Sequence, residues 1–189
     1  MADLATLGEK LGICLNEPSL LEQALVHSSY VNEKPSSASV SNERLEFLGD
    51  AVLGTVFAEK LYQDFPEMSE GEMSKFRSYL VCRDTLSSVA SAIGLGEHLY
   101  LGKGEETNSG RHKPANLAGA LEAVIAAVFL DQGLAATSDV ILRLFNEELQ
   151  KVASQGVGVD YKSQLQELIQ VREQQTPVYQ LVEAMGPDH

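Results

Sequence analysis

The chain has 189 residues, of which 44% are hydrophobic, enough for one sizeable core or one core with a small appendage. Its formal net charge of -13 argues against nucleic-acid binding through a generally basic surface, unless the acids gather where metal cations reverse the local field. Cys14 and Cys82 lie too far apart for a C-x-x-C pair, and His27, His98, His112 and His189 form no H-E-x-x-H pattern, which excludes the usual disulfide and zinc frameworks.

No basic segment leading into an apolar run opens the chain, and the longest uninterrupted apolar stretch is residues 123–130. A membrane span needs roughly 18 such residues. A cytoplasmic location with no membrane partner is therefore expected, with both cysteines buried as small apolar side chains.

Through the first 150 positions apolar residues recur at helical spacing, as in Leu20, Leu21, Ala24 and Leu25 and again in Leu142, Leu144, Phe145 and Leu149. No segment there alternates with period two. This predicts an all-α domain over residues 1–152, with loops at residues 34–39, around Phe65-Pro66, and at 102–110. Gly102-Lys103-Gly104 invites comparison with a phosphate loop, but the G-K-[ST] ending and a preceding strand are both missing, so a plain loop is expected.

The segment from Asn42 to Gly54 is the most informative. On a helix, Glu43, Glu46 and Asp50 fall at i, i+3 and i+7, within an arc of about 60°. Leu45, Leu48, Val52 and Val56 occupy the other side, and Phe47, Leu53 and Phe57 flank the acids. Such a strip can be an ordinary solvated face. Here, however, no Lys or Arg stands at i+4 to pair with an acid, and the neighbours are apolar, so desolvated carboxylates would repel each other unless a divalent cation joined them. Residues 117–130 form a second, strongly apolar helix with one acid, Glu122. A lone carboxylate in such a helix needs a partner, either a cation shared with the first strip or an arginine, with Arg44, Arg77 and Arg111 as candidates.

Residues 153–159 read as a short flexible linker. A new unit follows over 160–189, with an amphipathic stretch carrying Leu165, Leu168 and Ile169 and an alternating stretch over 176–183. At about 30 residues it is too short to hold a core of its own.

Taken together, ERLEFLGD at 43–50 resembles the signature of the ribonuclease III family, and LAGALEA at 117–123 resembles its second metal-binding segment. Residues 25–33, 65–71, 77–81 and 129–133 extend the likeness, so that it covers about residues 5 to 150. The tail is similar to the start of an α+β double-stranded RNA-binding domain, Tyr161 to Glu167 resembling its first helix. By this resemblance Ser163, Gln166, Glu167 and His189 would touch the RNA minor groove.

The resemblance implies the all-helical endonuclease fold and a homodimer that cuts double-stranded RNA in rRNA and mRNA processing. It implies magnesium as cofactor, with manganese able to substitute. Glu43, Glu46, Asp50 and Glu122 would be the metal ligands, Asp50 and Glu122 the catalytic pair, and Glu70 a further acid near them. Phe47 would plug into the partner subunit, although residue by residue a core aromatic is an equal reading.

One position departs from the family motif: Gly119 stands where an aspartate is usual. Water is expected to fill the place of the missing ligand, and Gly119→Asp to tighten metal binding if the new side chain adopts the family's rotamer. Asn116, a turn upstream, is read as a helix N-cap or as a water-mediated helper. The departure keeps open a catalytically silent relative that serves as an RNA-binding or structural subunit. E-x-x-E at 43–46 keeps open a helical nucleotide phosphohydrolase, although Ile125 removes the second acidic pair such an enzyme needs.

Overall fold

The computed structural model describes residues 4–34, 40–155 and Ile169. Among these residues the chain forms α1 (Leu4–Leu11), α2 (Pro18–Ala24), α3 (Ser28–Glu33), α4 (Glu43–Asp64), α5 (Glu70–Leu80), α6 (Arg83–Ala92), α7 (Lys103–Thr107), α8 (Pro114–Leu144) and α9 (Asn146–Gln155). Leu95–His98 and Gly110–His112 are short 3-10 turns, and the one β feature described is an isolated parallel bridge between Val26 and Tyr100. The expected all-α architecture is what forms.

Local chemistry sets several helix starts. Proline opens α2 and α8, where its missing N–H costs nothing. Ser69 and Glu72 form a reciprocal capping box at α5. Glycine at 133, with φ of 78°, kinks α8, a backbone conformation that a β-carbon would strain.

The central pair is α4 against α8, with α6 and α2 packed on other sides of α8. Leu121 and residues 123–128 of α8 are completely buried. Each large aliphatic side chain buried in this way contributes about 1.5–3 kcal/mol, and the alanines let neighbouring helices come close. By length and composition α8 could cross a membrane, but most of its apolar stretch is buried in this core, which accounts for its apolarity. Phe57 of α4 meets Phe145 edge to face at 5.0 Å, and both rings are fully buried.

Three local expectations are corrected. Both cysteines are exposed: Cys14 lies in the turn between α1 and α2, and Cys82 caps α6 at a corner, its Sγ 3.4 Å from Thr85 Oγ1. The stretch 102–110 is not a plain loop, because residues 103–107 coil into α7. Its first N–H groups find a partner from a distant helix: the Glu33 carboxylate accepts from Lys103 N and Gly104 N at 2.8 and 3.1 Å. Finally, α9 continues through Gln155, into the stretch read as a linker. The tail residues Ser163, Gln166, Glu167 and His189 lie outside the described residues.

Candidate metal centre

The site begins at the crossing of α4 and α8. A β-carbon at Gly49 would lie 1.8 Å from the backbone oxygen of Glu122, so the two helix backbones touch there and only glycine permits it. Glu46 and Asp50 bracket Gly49 on α4. The crossing therefore delivers both beside Glu122, which the local pattern alone could not do.

Glu43, Glu46, Phe47, Asp50 and Glu122 line one open pocket of about 470 Å³. Glu43 and Asp50 are exposed, whereas Glu46 and Glu122 are half-buried. Burial, reinforced by the negative charges of Glu46 and Asp50, pushes the Glu122 carboxyl up to about 7. Glu46 is also raised, first by burial and then by Glu43, with His27 pulling the other way. Among the described residues, no arginine contributes to the shift of Glu122. Arg111, one candidate, instead grips Glu106 with two nitrogens at 2.7 and 2.9 Å and donates to the carbonyls of Gly96, Glu97 and Leu99.

An all-oxygen donor set with surplus negative charge suits a hard divalent cation, which neutralises what the chain leaves unpaired. Among the described residues no three Asp, Glu, His or Cys side chains converge tightly enough to enclose an ion as they stand. Carboxylates on an open pocket, completed by water, are nevertheless the coordination that magnesium accepts, because it keeps several waters.

The other expected participants fall as follows. Glu70 does not line this pocket; on the first turn of α5 its carboxylate accepts from Ser74 Oγ at 2.8 Å. Asn116 is not the N-cap, a position held by Lys113 because Pro114 takes the first helical place. Its amide instead donates to Glu105 Oε1 at 2.8 Å and to the Gly110 carbonyl at 2.9 Å. Phe47 is no core aromatic: it is 81% exposed and borders an apolar groove with Leu20, Leu45, Leu48 and Leu130.

His27 belongs to no sequence pattern that marks it as a site residue. It lines a smaller pocket of about 200 Å³ on the other side of Glu46, and its Nδ1 accepts from Ser29 N, which caps α3. The stretch 25–33 carried the only signal, as part of the family likeness.

Residues 17–149 match the Ribonuclease-III-like family. "Ribonuclease 3" of Dehalococcoides mccartyi (strain CBDB1) is 54% identical over 189 residues, which is 100% of this chain and 80% of that protein. "Ribonuclease 3" of Borreliella afzelii (strain PKo) is 45% identical over 188 residues, covering 100% of this chain and 76% of that protein. Among solved structures, the nuclease domain of ribonuclease III from Campylobacter jejuni superposes with a TM-score of 0.73 at 36% identity, over 78% of this chain and 99% of that one. Dicer from Pichia stipitis superposes with a TM-score of 0.55 at 26% identity, over 92% of this chain and 77% of that one.

Proposed function

Because the chain belongs to the ribonuclease III family, we propose that it hydrolyses phosphodiester bonds of double-stranded RNA as a divalent-metal-dependent endonuclease. The observation that carries this reading is Glu122, half-buried against two other carboxylates at the point where α4 and α8 touch. Glu46, Asp50 and Glu122 would hold magnesium, or manganese in its place, with Glu43 at the pocket's edge. Metal bound there supplies charge stabilisation on the phosphate and an activated water.

The chain's own part is to orient and to manage protons. Glu122 carries a proton for much of the time near neutral pH when only carboxylates surround it, so cation binding releases that proton and should strengthen as pH rises. The pocket is open on its outer side, as a substrate as large as a duplex requires. A catalytically silent relative is not favoured, since the relatives above are ribonucleases by name.

We also infer a homodimer built through Phe47. An aromatic ring exposed beside an apolar groove costs solvation unless something covers it. The Campylobacter jejuni nuclease domain is described as having a region involved in dimer formation.

The test incubates labelled RNA duplex, single-stranded RNA and DNA duplex with the protein at low salt, with and without magnesium. Cleavage of the RNA duplex alone, and only with metal, is expected. Hydrolysis of a nucleoside triphosphate with duplex RNA untouched would instead point to a phosphohydrolase. Light scattering should report a dimer, and a strictly monomeric species at micromolar concentration would remove the proposed interface.

A further inference from the structure

His27 precedes α3, and its backbone is fixed on both sides. Its N–H donates to the Tyr100 carbonyl at 3.1 Å, and its own carbonyl accepts from Tyr30 N at 3.0 Å. The ring is fixed as well. Ser29 N donates to Nδ1 at 3.2 Å, and Ser29 Oγ lies 2.8 Å from the same atom. That hydroxyl already accepts from Gly102 N at 3.0 Å, so its proton is free to go to Nδ1.

Nδ1 therefore faces donors, and a ring nitrogen that accepts carries no proton. The hydrogen bonds thus assign the proton of the neutral ring to Nε2. Among the described residues the ring's hydrogen bonds are both at Nδ1, which leaves the Nε2–H uncommitted. With Nδ1 held toward the start of α3, the far side of the ring is left to the pocket of about 200 Å³ that it shares with Asn42, Glu43, Glu46 and Asn116.

Of the acceptors on that wall, Glu46 is the one in need of a donor. The exposed Glu43 carboxylate takes Ser41 Oγ at 2.8 Å, and the Asn42 and Asn116 amides are turned to the carbonyls of Ala24 and Gly110. The Glu46 carboxyl is raised by burial first and by Glu43 next, with His27 opposing them, so the ring lies within electrostatic reach of it. Carboxylates that ligate a metal are as a rule hydrogen-bonded in turn. At about 30 Å³ for each molecule, the pocket has room for several waters to bridge ring and carboxylate.

We propose that His27 is a positioning residue for the metal centre: its Nε2–H donates through pocket water to the Glu46 carboxylate and turns the remaining lone pairs toward the cation shared with Asp50 and Glu122. This rests on the metal-dependent reading above. The two ring nitrogens then have separate duties. Nδ1 caps α3 and serves the fold, whereas Nε2 serves the metal.

Two substitutions separate these duties. An asparagine amide falls near the place of Nδ1, and asparagine is itself a good N-cap, so His27→Asn keeps the cap and loses the outer donor. A glutamine amide reaches the place of Nε2, so His27→Gln keeps the donor and loses the cap. Manganese binding to the full chain without RNA is measured by calorimetry, beside melting curves, for the parent and both variants. His27→Asn should melt near the parent but bind manganese about tenfold more weakly, the scale typical of residues that orient a ligand. His27→Gln should melt lower and bind within about threefold of the parent. A histidine that only supports the fold would give the opposite ranking, with affinity following stability.

Shortening the acid withdraws it from the ring, so His27→Asn should cost less affinity in a Glu46→Asp background than in the parent. Manganese binding by His27→Asn within about twofold of the parent, weaker binding by His27→Gln than by His27→Asn, or fully additive losses with Glu46→Asp would each overturn the inference. The expected ranking in a protein that cuts no duplex RNA would overturn the nuclease reading alone. Absence of manganese binding by the parent would overturn both.

Discussion

Two glutamates, each on a helix packed against the core, end in opposite electrostatic states. Glu148 of α9 is 9% exposed, yet its carboxylate accepts from Lys151 Nζ at 2.7 Å and from Tyr79 Oη at 2.8 Å. The lysine first, and then the tyrosine, hold its carboxyl below the usual range against the opposing effect of burial. Among the described residues, the charges acting on Glu122 of α8 are the carboxylates of Glu46 and Asp50, and burial with their repulsion raises it to about 7. Burial alone does not decide the state of an acid; its partners do. Where the chain supplies the partner, the acid belongs to the fold. Where it withholds one, the acid stays available for the chemistry proposed above.

The contrast breaks most easily through activity. Glu122→Gln should lower duplex cleavage by on the order of 100-fold or more, because it removes a proposed direct ligand. The same change should not lower the melting temperature without metal, since it removes an unpaired charge. Asn116→Ala should do the reverse, cutting RNA nearly as well while losing about 1 kcal/mol for each of its two hydrogen bonds. Cleavage rates and melting curves on both variants test this, and a Glu122→Gln protein that cuts normally would dissolve the distinction.

The pH dependence of stability separates the two acids further, because they should have slopes of opposite sign. Glu122 has a raised carboxyl in the folded state, so without metal its stabilising contribution is full below the unfolded value and is lost as pH rises to about 7. Glu122→Gln should therefore gain on the parent across that window, by about 1 kcal/mol once partial exposure is allowed for. Added manganese should erase the gain by favouring the charged parent. Glu148 is depressed, so its contribution is present above the unfolded value and lost as pH falls through the folded one. Melting Glu122→Gln, Glu148→Gln and the parent from about pH 2.5 to 8 is the measurement, and parallel curves would refute the assignment.

The smallest effect is expected at the paired site. Glu148→Gln should cost about 1 kcal/mol at neutral pH, because Lys151 is largely exposed and its ion pair is screened. Manganese affinity should not change, and a change would mean that the two regions are coupled through the core.

The acidic arc of α4 could be read before any tertiary structure because Glu43, Glu46 and Asp50 are related by helical periodicity, a property of neighbours in the chain. The lone acid of α8 was legible for the same kind of reason: an apolar helix makes one carboxylate conspicuous. Other features depend on residues far apart in sequence. α7 is too short to form alone and is capped by Glu33, about 70 positions earlier. The exposure of Cys14 and Cys82 follows from where the chain turns, not from the residue type. Asn116 sits near a proline in the manner of a cap, but its amide is claimed by Glu105 and the Gly110 carbonyl.

Periodicity and motif spacing thus suffice for the all-helical class, the family, and the choice of acids available for chemistry. How those acids meet depends on the packing of α4 against α8. A glycine in a sequence shows what is missing but not what fills the space. At Gly49 the crossing fills it with the backbone of α8 at Glu122, and at Gly119 with the carboxylate of Glu46. Both are steric facts between segments some 70 residues apart, set by how closely two helices pack, and periodicity within either helix carries no information about them.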